Sequence, residues 1–191
     1  MPNWCYTSYR IVGKEEEVRD LYKKMDELEN MKKSLIRNDF GTSWMGNLVH
    51  ELGADWKKVN CRGWWDGLEI QGAELRFYVE SAWSPLVEVH ALIKKTYPSL
   101  KIYYSAEEEG TELYETNDAE GRFFPDRYIL RTEYKEKSYR TFEKLLGAVS
   151  KYVGHGVKSK GELDDIIDEG TFEDLDYYEY EIVKGEEDGN D

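Results

Sequence analysis

The chain is poor in the residues that build covalent or catalytic frameworks. It has two cysteines, four prolines and three histidines in 191 residues. Cys5 and Cys61 cannot make a disulfide framework or a structural zinc site, and two thiolates cannot hold an iron–sulfur cluster. His50, His90 and His155 offer little for a nucleophile, base and orienter. His50-Glu51 lacks the second histidine of a zinc-protease helix. No phosphate-binding glycine loop, dinucleotide fingerprint or EF-hand spacing is present. No apolar run approaches the roughly 18 residues of a membrane-spanning helix. Met1-Pro2-Asn3-Trp4-Cys5-Tyr6 has neither a basic nor an apolar signal region. The expected compartment is the cytoplasm, with no membrane partner, no cofactor and no metal.

Acid and aromatics are what the chain has in excess. Forty acidic residues face 26 basic ones, a net charge of −14, and 14% of residues are aromatic. The charge is uneven: 162–191 holds 14 acids and one base, Lys184, while 1–161 holds 26 acids and 25 bases. The body is nearly neutral, so global acidity does not exclude a nucleic-acid surface there. Residues 185–191 are expected to be a disordered acidic tail. All six tryptophans lie within the first 83 residues, which points to a bulky core or an aromatic surface cluster.

Periodicity gives the elements. Residues 3–12 read as a strand ending at Gly13. Val18, Leu21, Tyr22, Met25 and Leu28 share a helical face behind Glu15, Glu16 and Glu17, which suit the helix dipole. Ser43 to Leu52 reads as a short helix stopped by Gly53. Leu68–Gln71 and Glu74–Ser81 read as strands joined at Gly72-Ala73. Ser84-Pro85 suggests a cap and first turn for a helix carrying Leu86, Val89, His90 and Ile93. Leu100 to Ala106 is again a strand. Strand, helix, strand, strand, helix, strand is the split βαβ order of ferredoxin-like folds. The expected class is therefore α+β: a ferredoxin-like βαββαβ core over 1–120, with a C-terminal αβ extension over 121–184 in the same compact body. Within that extension, Arg127–Tyr134 alternates as a strand and Phe142 to Val153 shows a helix face. Ser159-Lys160-Gly161-Glu162 has the capping-box pattern, and Tyr178, Tyr180 and Ile182 alternate as a last strand.

Three words read as family signatures: Pro2-Asn3-Trp4-Cys5, Ala82-Trp83-Ser84-Pro85, and Tyr104-Ser105-Ala106-Glu107-Glu108-Glu109-Gly110. Together they resemble the YubB-type family of phage and conjugative-plasmid proteins. The resemblance covers about residues 1–120 and implies a bacterial mobile-element origin and a ferredoxin-like core, with no assigned activity. Each word also reads as a folding feature: a strand opening, a strand-to-helix joint in which Trp83 packs and Ser84 caps, and a turn closing a strand.

Candidate binding residues follow from strand alternation. If Leu75, Phe77 and Val79 face the helices, then Arg76, Tyr78 and Glu80 face away, as do Tyr6, Arg10, Lys101 and Tyr103. Aromatics beside basic side chains on central strands resemble a single-strand stacking platform. Against that, Leu75-Arg76-Phe77-Tyr78-Val79-Glu80 lacks the glycine and aromatic spacing of an RNA-recognition strand. The competing expectation is that the extension covers this face as a second core. Trp4, Trp64, Trp65 and Trp83 are candidates for one aromatic pocket. Glu107 and Glu109, spaced to share a strand face, and Asp66 are the carboxylates available for acid/base work. The leading expectation is a non-enzymatic accessory protein of a mobile element that binds a protein partner, with the acidic C-terminal surface as one route. The alternatives are single-stranded nucleic-acid binding on the outer sheet face and an enzyme using strand-end carboxylates.

Overall fold

The computed structural model describes residues 2–172 and 174–184. The expected tail, 185–191, lies outside them. The fold is mixed α+β, and the chain divides into two compact units, Met1–Asn117 and Asp118–Asp191.

The first unit contains β1 (Trp4–Val12), α1 (Glu15–Glu29), α2 (Met45–Glu51), β2 (Gly63–Gln71), β3 (Glu74–Ala82), α3 (Val87–Thr96), β4 (Lys101–Glu108) and β5 (Leu113–Thr116). Its strands lie in the order β2-β3-β1-β4-β5, each pair antiparallel. Alternation fixes the two faces. Cys5, Thr7, Tyr9 and Ile11 of β1, Leu75, Phe77 and Val79 of β3, and Ile102, Tyr104 and Ala106 of β4 are buried inward. Tyr9 stacks on Phe77 with centroids 4.9 Å apart. Over them α1 buries Val18, Leu21, Met25 and Leu28, and α3 buries Val89 and Ile93. Each fully buried large side chain contributes about 1.5–3 kcal/mol. That inner layer leaves the opposite sheet face to face outward.

Three local expectations need correction. The helix after β3 begins at Val87 with Leu86 as its N-cap and no side-chain cap, so Ser84 does not cap it. Trp83 takes a left-handed φ of 73° and its N–H donates to the Asn3 carbonyl at 3.0 Å, so the chain is still completing its turn off the sheet where a helix start was expected. β2 begins at Gly63 rather than Leu68. A register shift between Asp66 and Glu69 breaks the alternation that would have marked it. Trp83 is also half exposed rather than packed.

The second unit contains β6 (Tyr128–Thr132), β7 (Lys135–Tyr139), α4 (Phe142–Val153), α5 (Lys160–Asp168) and β8 (Asp176–Glu179). The sheet order is β7-β6-β8, antiparallel throughout. β7 was not expected from the sequence. The alternation read as one strand to Tyr134 is a hairpin that turns back after Thr132. α4 is capped by Thr141 and closed by Gly154 in the left-handed region. Ser159 caps α5 by accepting from the Glu162 N–H at 3.2 Å, while the Glu162 carboxylate accepts from the Lys158 N–H at 2.7 Å. Leu130, Leu145, Leu146, Val149, Val157, Leu163 and Leu175 form the core.

Candidate functional site

The outward face of the first sheet is a grid set by register. Across one row Trp64 pairs with Glu80, Glu80 with Tyr6, and Tyr6 with Glu107. Across the next, Asp66 pairs with Tyr78 and Tyr78 with Ser8. Tyr6 is 57% exposed and Tyr78 55%, so within this unit both rings stand clear of the helices that cover the inner face.

Tyr6, Ser8, Trp64, Asp66, Tyr78 and Glu80 line a hollow of about 200 Å³. Trp64 is held edge-on by Trp4 at 4.9 Å and stacked by Phe40 at 5.8 Å. Phe40 also stacks on Trp44, and Trp44 meets Trp56 edge-on, so an aromatic chain backs the hollow. Tyr78 lies over Gly67, which has φ +64°; a Cβ there would sit 2.9 Å from the ring. Glycine thus serves both the bulge and the ring above it. The Asp66 carboxylate accepts from the Gly67 N–H at 2.7 Å.

The cations are placed off this hollow. Arg10 and Arg76 form the next row, and both reach the Glu74 carboxylate, at 3.5 and 3.3 Å. Arg76 also donates to Gln71. Tyr103 faces outward beside Arg10 on β4, and Lys101 lies at the far end. The local chemistry at Tyr6 and Tyr78 is therefore aromatic and anionic rather than aromatic and basic.

The four candidate tryptophans do not share a pocket. Trp4 and Trp64 meet, Trp65 points inward and is 1% exposed, and Trp83 stands apart at 50%. The candidate carboxylates do not gather either. Asp66 on β2 and Glu107 on β4 are separated by β3 and β1, roughly 14 Å at ordinary strand spacing. Glu109 is not on the strand; it opens a single 3-10 turn, Glu109–Thr111. β4 runs to Glu108, and its inward alternation makes Glu108 the buried acid between the two that were expected to act.

Glu108 has a structural role. Its carboxylate accepts from the N–H groups of Gly110 and Thr111 and from the Thr111 hydroxyl. Burial opposes its charge, but these bonds and one from the Asn3 side chain outweigh it and hold the carboxyl below the ordinary glutamate range. A Cβ on Gly110 would collide with the Asn3 side chain. Asn3 therefore meets Glu108 and Gly110 with its side chain and Trp83 with its carbonyl. The stretches that open β1, follow β3 and end β4 thus converge on one junction at the end of the sheet.

Sequence reasoning did not single out Phe40 or Glu80. Phe40 lies in a stretch with no readable period. Glu80 was placed on the correct face, and only its register opposite Tyr6 and Trp64 brings it to the hollow. The thiols are buried and unreactive in character: burial pushes both Cys5 and Cys61 up to about 11. Among the described residues no helix is long and apolar enough to cross a membrane, and no group of three or more His, Cys, Asp or Glu is placed to hold a metal.

No family model matches this sequence, and no curated protein or solved structure matches it either.

Proposed function

We propose that this chain is a non-enzymatic interaction protein, an accessory of a bacterial mobile element, that docks a protein partner on the outer face of its first sheet. The order β2-β3-β1-β4, with α1 and the short α2 between β1 and β2 and α3 between β3 and β4, supports reading this unit as a ferredoxin-like core extended by β5. The junction at Asn3 supports treating the three resembling words as one structural signature of the YubB-type family. The observation that carries the functional reading is the hollow itself: three aromatic rings beside two carboxylates, with the nearest arginines engaged by Glu74. Ring faces and carboxylates attract a cation together, whereas a phosphate would be repelled. A lysine or arginine side chain of a partner fits that chemistry.

The exposure of Tyr6 and Tyr78 also favours a second reading, single-strand stacking on the same face. The acidic C-terminal surface is a weaker route, because several of its acids are used internally. Asp164 accepts from the Tyr177 hydroxyl at 3.0 Å, and Asp176 accepts from that of Tyr178 at 3.0 Å. For the enzyme reading, Asp66 and Glu107 stand on strands separated by β3 and β1, and Glu109 lies off the strand in the turn after β4.

Nuclear magnetic resonance of the full chain tests these readings with N-acetyl-arginine amide, its neutral citrulline analogue and a short oligothymidylate. The proposal expects the arginine compound alone to move the Trp64 indole N–H and the Tyr78 amide, with a dissociation constant on the order of 10 mM. Glu80→Lys should abolish the shifts. Movement of the same resonances by the oligonucleotide alone would favour stacking. No movement with any probe would overturn both.

A further inference from the structure

We propose that the second unit carries a separate anion-binding groove, between β7 and α4, that takes single-stranded nucleic acid. The groove encloses about 910 Å³. Its cations are Lys135 and Lys137 on β7, Arg140 in the connection, and Lys144 and Lys151 on α4. Among the described residues, Asp126 is the single carboxylate lining it.

Two periodicities build this arrangement. Lys135 pairs with Thr132, Lys137 with Leu130 and Tyr139 with Tyr128, so all three β7 side chains share the sheet face on which Leu130 is buried against α4. On α4, Lys144, Gly147, Ala148 and Lys151 fall at i, i+3, i+4 and i+7, a single stripe. The small residues leave the space: a Cβ on Gly147 would meet nothing within 4 Å. The result is an apolar floor between two basic walls. None of the five cations is in ion-pair contact with a carboxylate among the described residues.

Aromatic rings favour a nucleic acid over an acidic peptide. Tyr134 is 79% exposed at one end, and Tyr139 and Tyr152 are half-buried along the lining. Lys137 lies 5.6 Å from the Tyr139 ring centroid. Ring faces take bases of any identity, and the cations take the phosphates between them. From Lys135 to Tyr139 the strand covers roughly 13 Å, and from Lys144 to Lys151 the helix covers about 10 Å. That length takes roughly two to four phosphates.

Charge counting hid the groove. Residues 134–161 hold seven Lys or Arg and two Glu. Averaging over 1–161 gives near neutrality, because acids elsewhere cancel this stretch.

The test is fluorescence anisotropy of a labelled oligothymidylate of about 10 nucleotides titrated with the full chain. Saturable binding is expected, with a log–log salt slope of about −1.4 to −2.8. Lys137→Ala and Lys144→Ala should each weaken binding about 3–10-fold and flatten the slope by about 0.7. Lys23→Ala, on α1, should change nothing. Absence of saturable binding would overturn the proposal. So would binding lost with Tyr78→Ala and kept in the two lysine variants, which would place the oligonucleotide on the first sheet. Displacement by polyglutamate at equal charge concentration, as effective as by unlabelled oligonucleotide, would assign the groove to an acidic protein segment instead.

Discussion

The hydroxyl of Tyr9 and the Nε2 of His90 lie 2.7 Å apart, tying the central strand to the helix above it. The imidazole also meets the rings of Tyr9 and Tyr104 edge-on or tilted, at 5.2 and 5.3 Å. Burial disfavours its charged form and pushes it down to about 4.

A pH dependence follows from that depression. Below about 6.5 the unfolded chain protonates His90 while the folded chain does not. Stability from this group is therefore complete above 6.5 and is lost as pH falls towards 4. The loss is on the order of 3 kcal/mol across that window. Urea unfolding at pH 7 and pH 4.5 should show it, and His90→Gln should have a smaller difference between the two pH values. An unchanged difference would remove His90 as the cause.

Glu108 and its neighbour Glu109 give a contrast. Glu108→Ala removes three acceptor contacts at the turn after β4 and should cost about 2 kcal/mol. Glu109→Ala, at an exposed position, should change stability by less than about 0.5 kcal/mol. Because the Glu108 carboxyl is held low when folded, its contribution is present above the ordinary glutamate range and disappears as pH falls through the folded value. Denaturant midpoints of both variants measure the difference. Equal costs would deny Glu108 its role in the turn.

Asn47 organises the loop that delivers Phe40 to the Trp64 ring. It is fully buried; its Oδ1 accepts from the Ile36 N–H at 3.1 Å, and its Nδ2 donates to Ser34 Oγ at 2.7 Å and the Thr42 carbonyl at 2.9 Å. Asn47→Leu keeps the branched shape, adds some bulk and strands these partners. It should cost about 2–4 kcal/mol and raise hydrogen exchange at Ile36. Exchange unchanged at Ile36 would show that the loop is held by other contacts.

The sequence by itself determined most of the elements. Alternation in β1, β3 and β4 assigned inward and outward residues correctly, because period two is a local property of an extended chain. The faces of α1 and α4 and the cap at Ser159 were equally legible. β7 and the start of β2 were not, since a hairpin and a bulge preserve or break alternation without announcing themselves. Only tertiary structure decided that β4 ends at Glu108 and that the buried Glu108 carboxylate accepts from the turn carrying Gly110 and Thr111. It also decided that Asn3, Trp83 and Gly110 meet, that Glu80 stands beside Tyr6 and Trp64, and that Lys137 faces Lys144 across a groove. These are long-range juxtapositions fixed by strand order and register, which depend on how the whole chain buries its apolar surface. Local periodicity states which way a side chain points. The folded packing states what it points at.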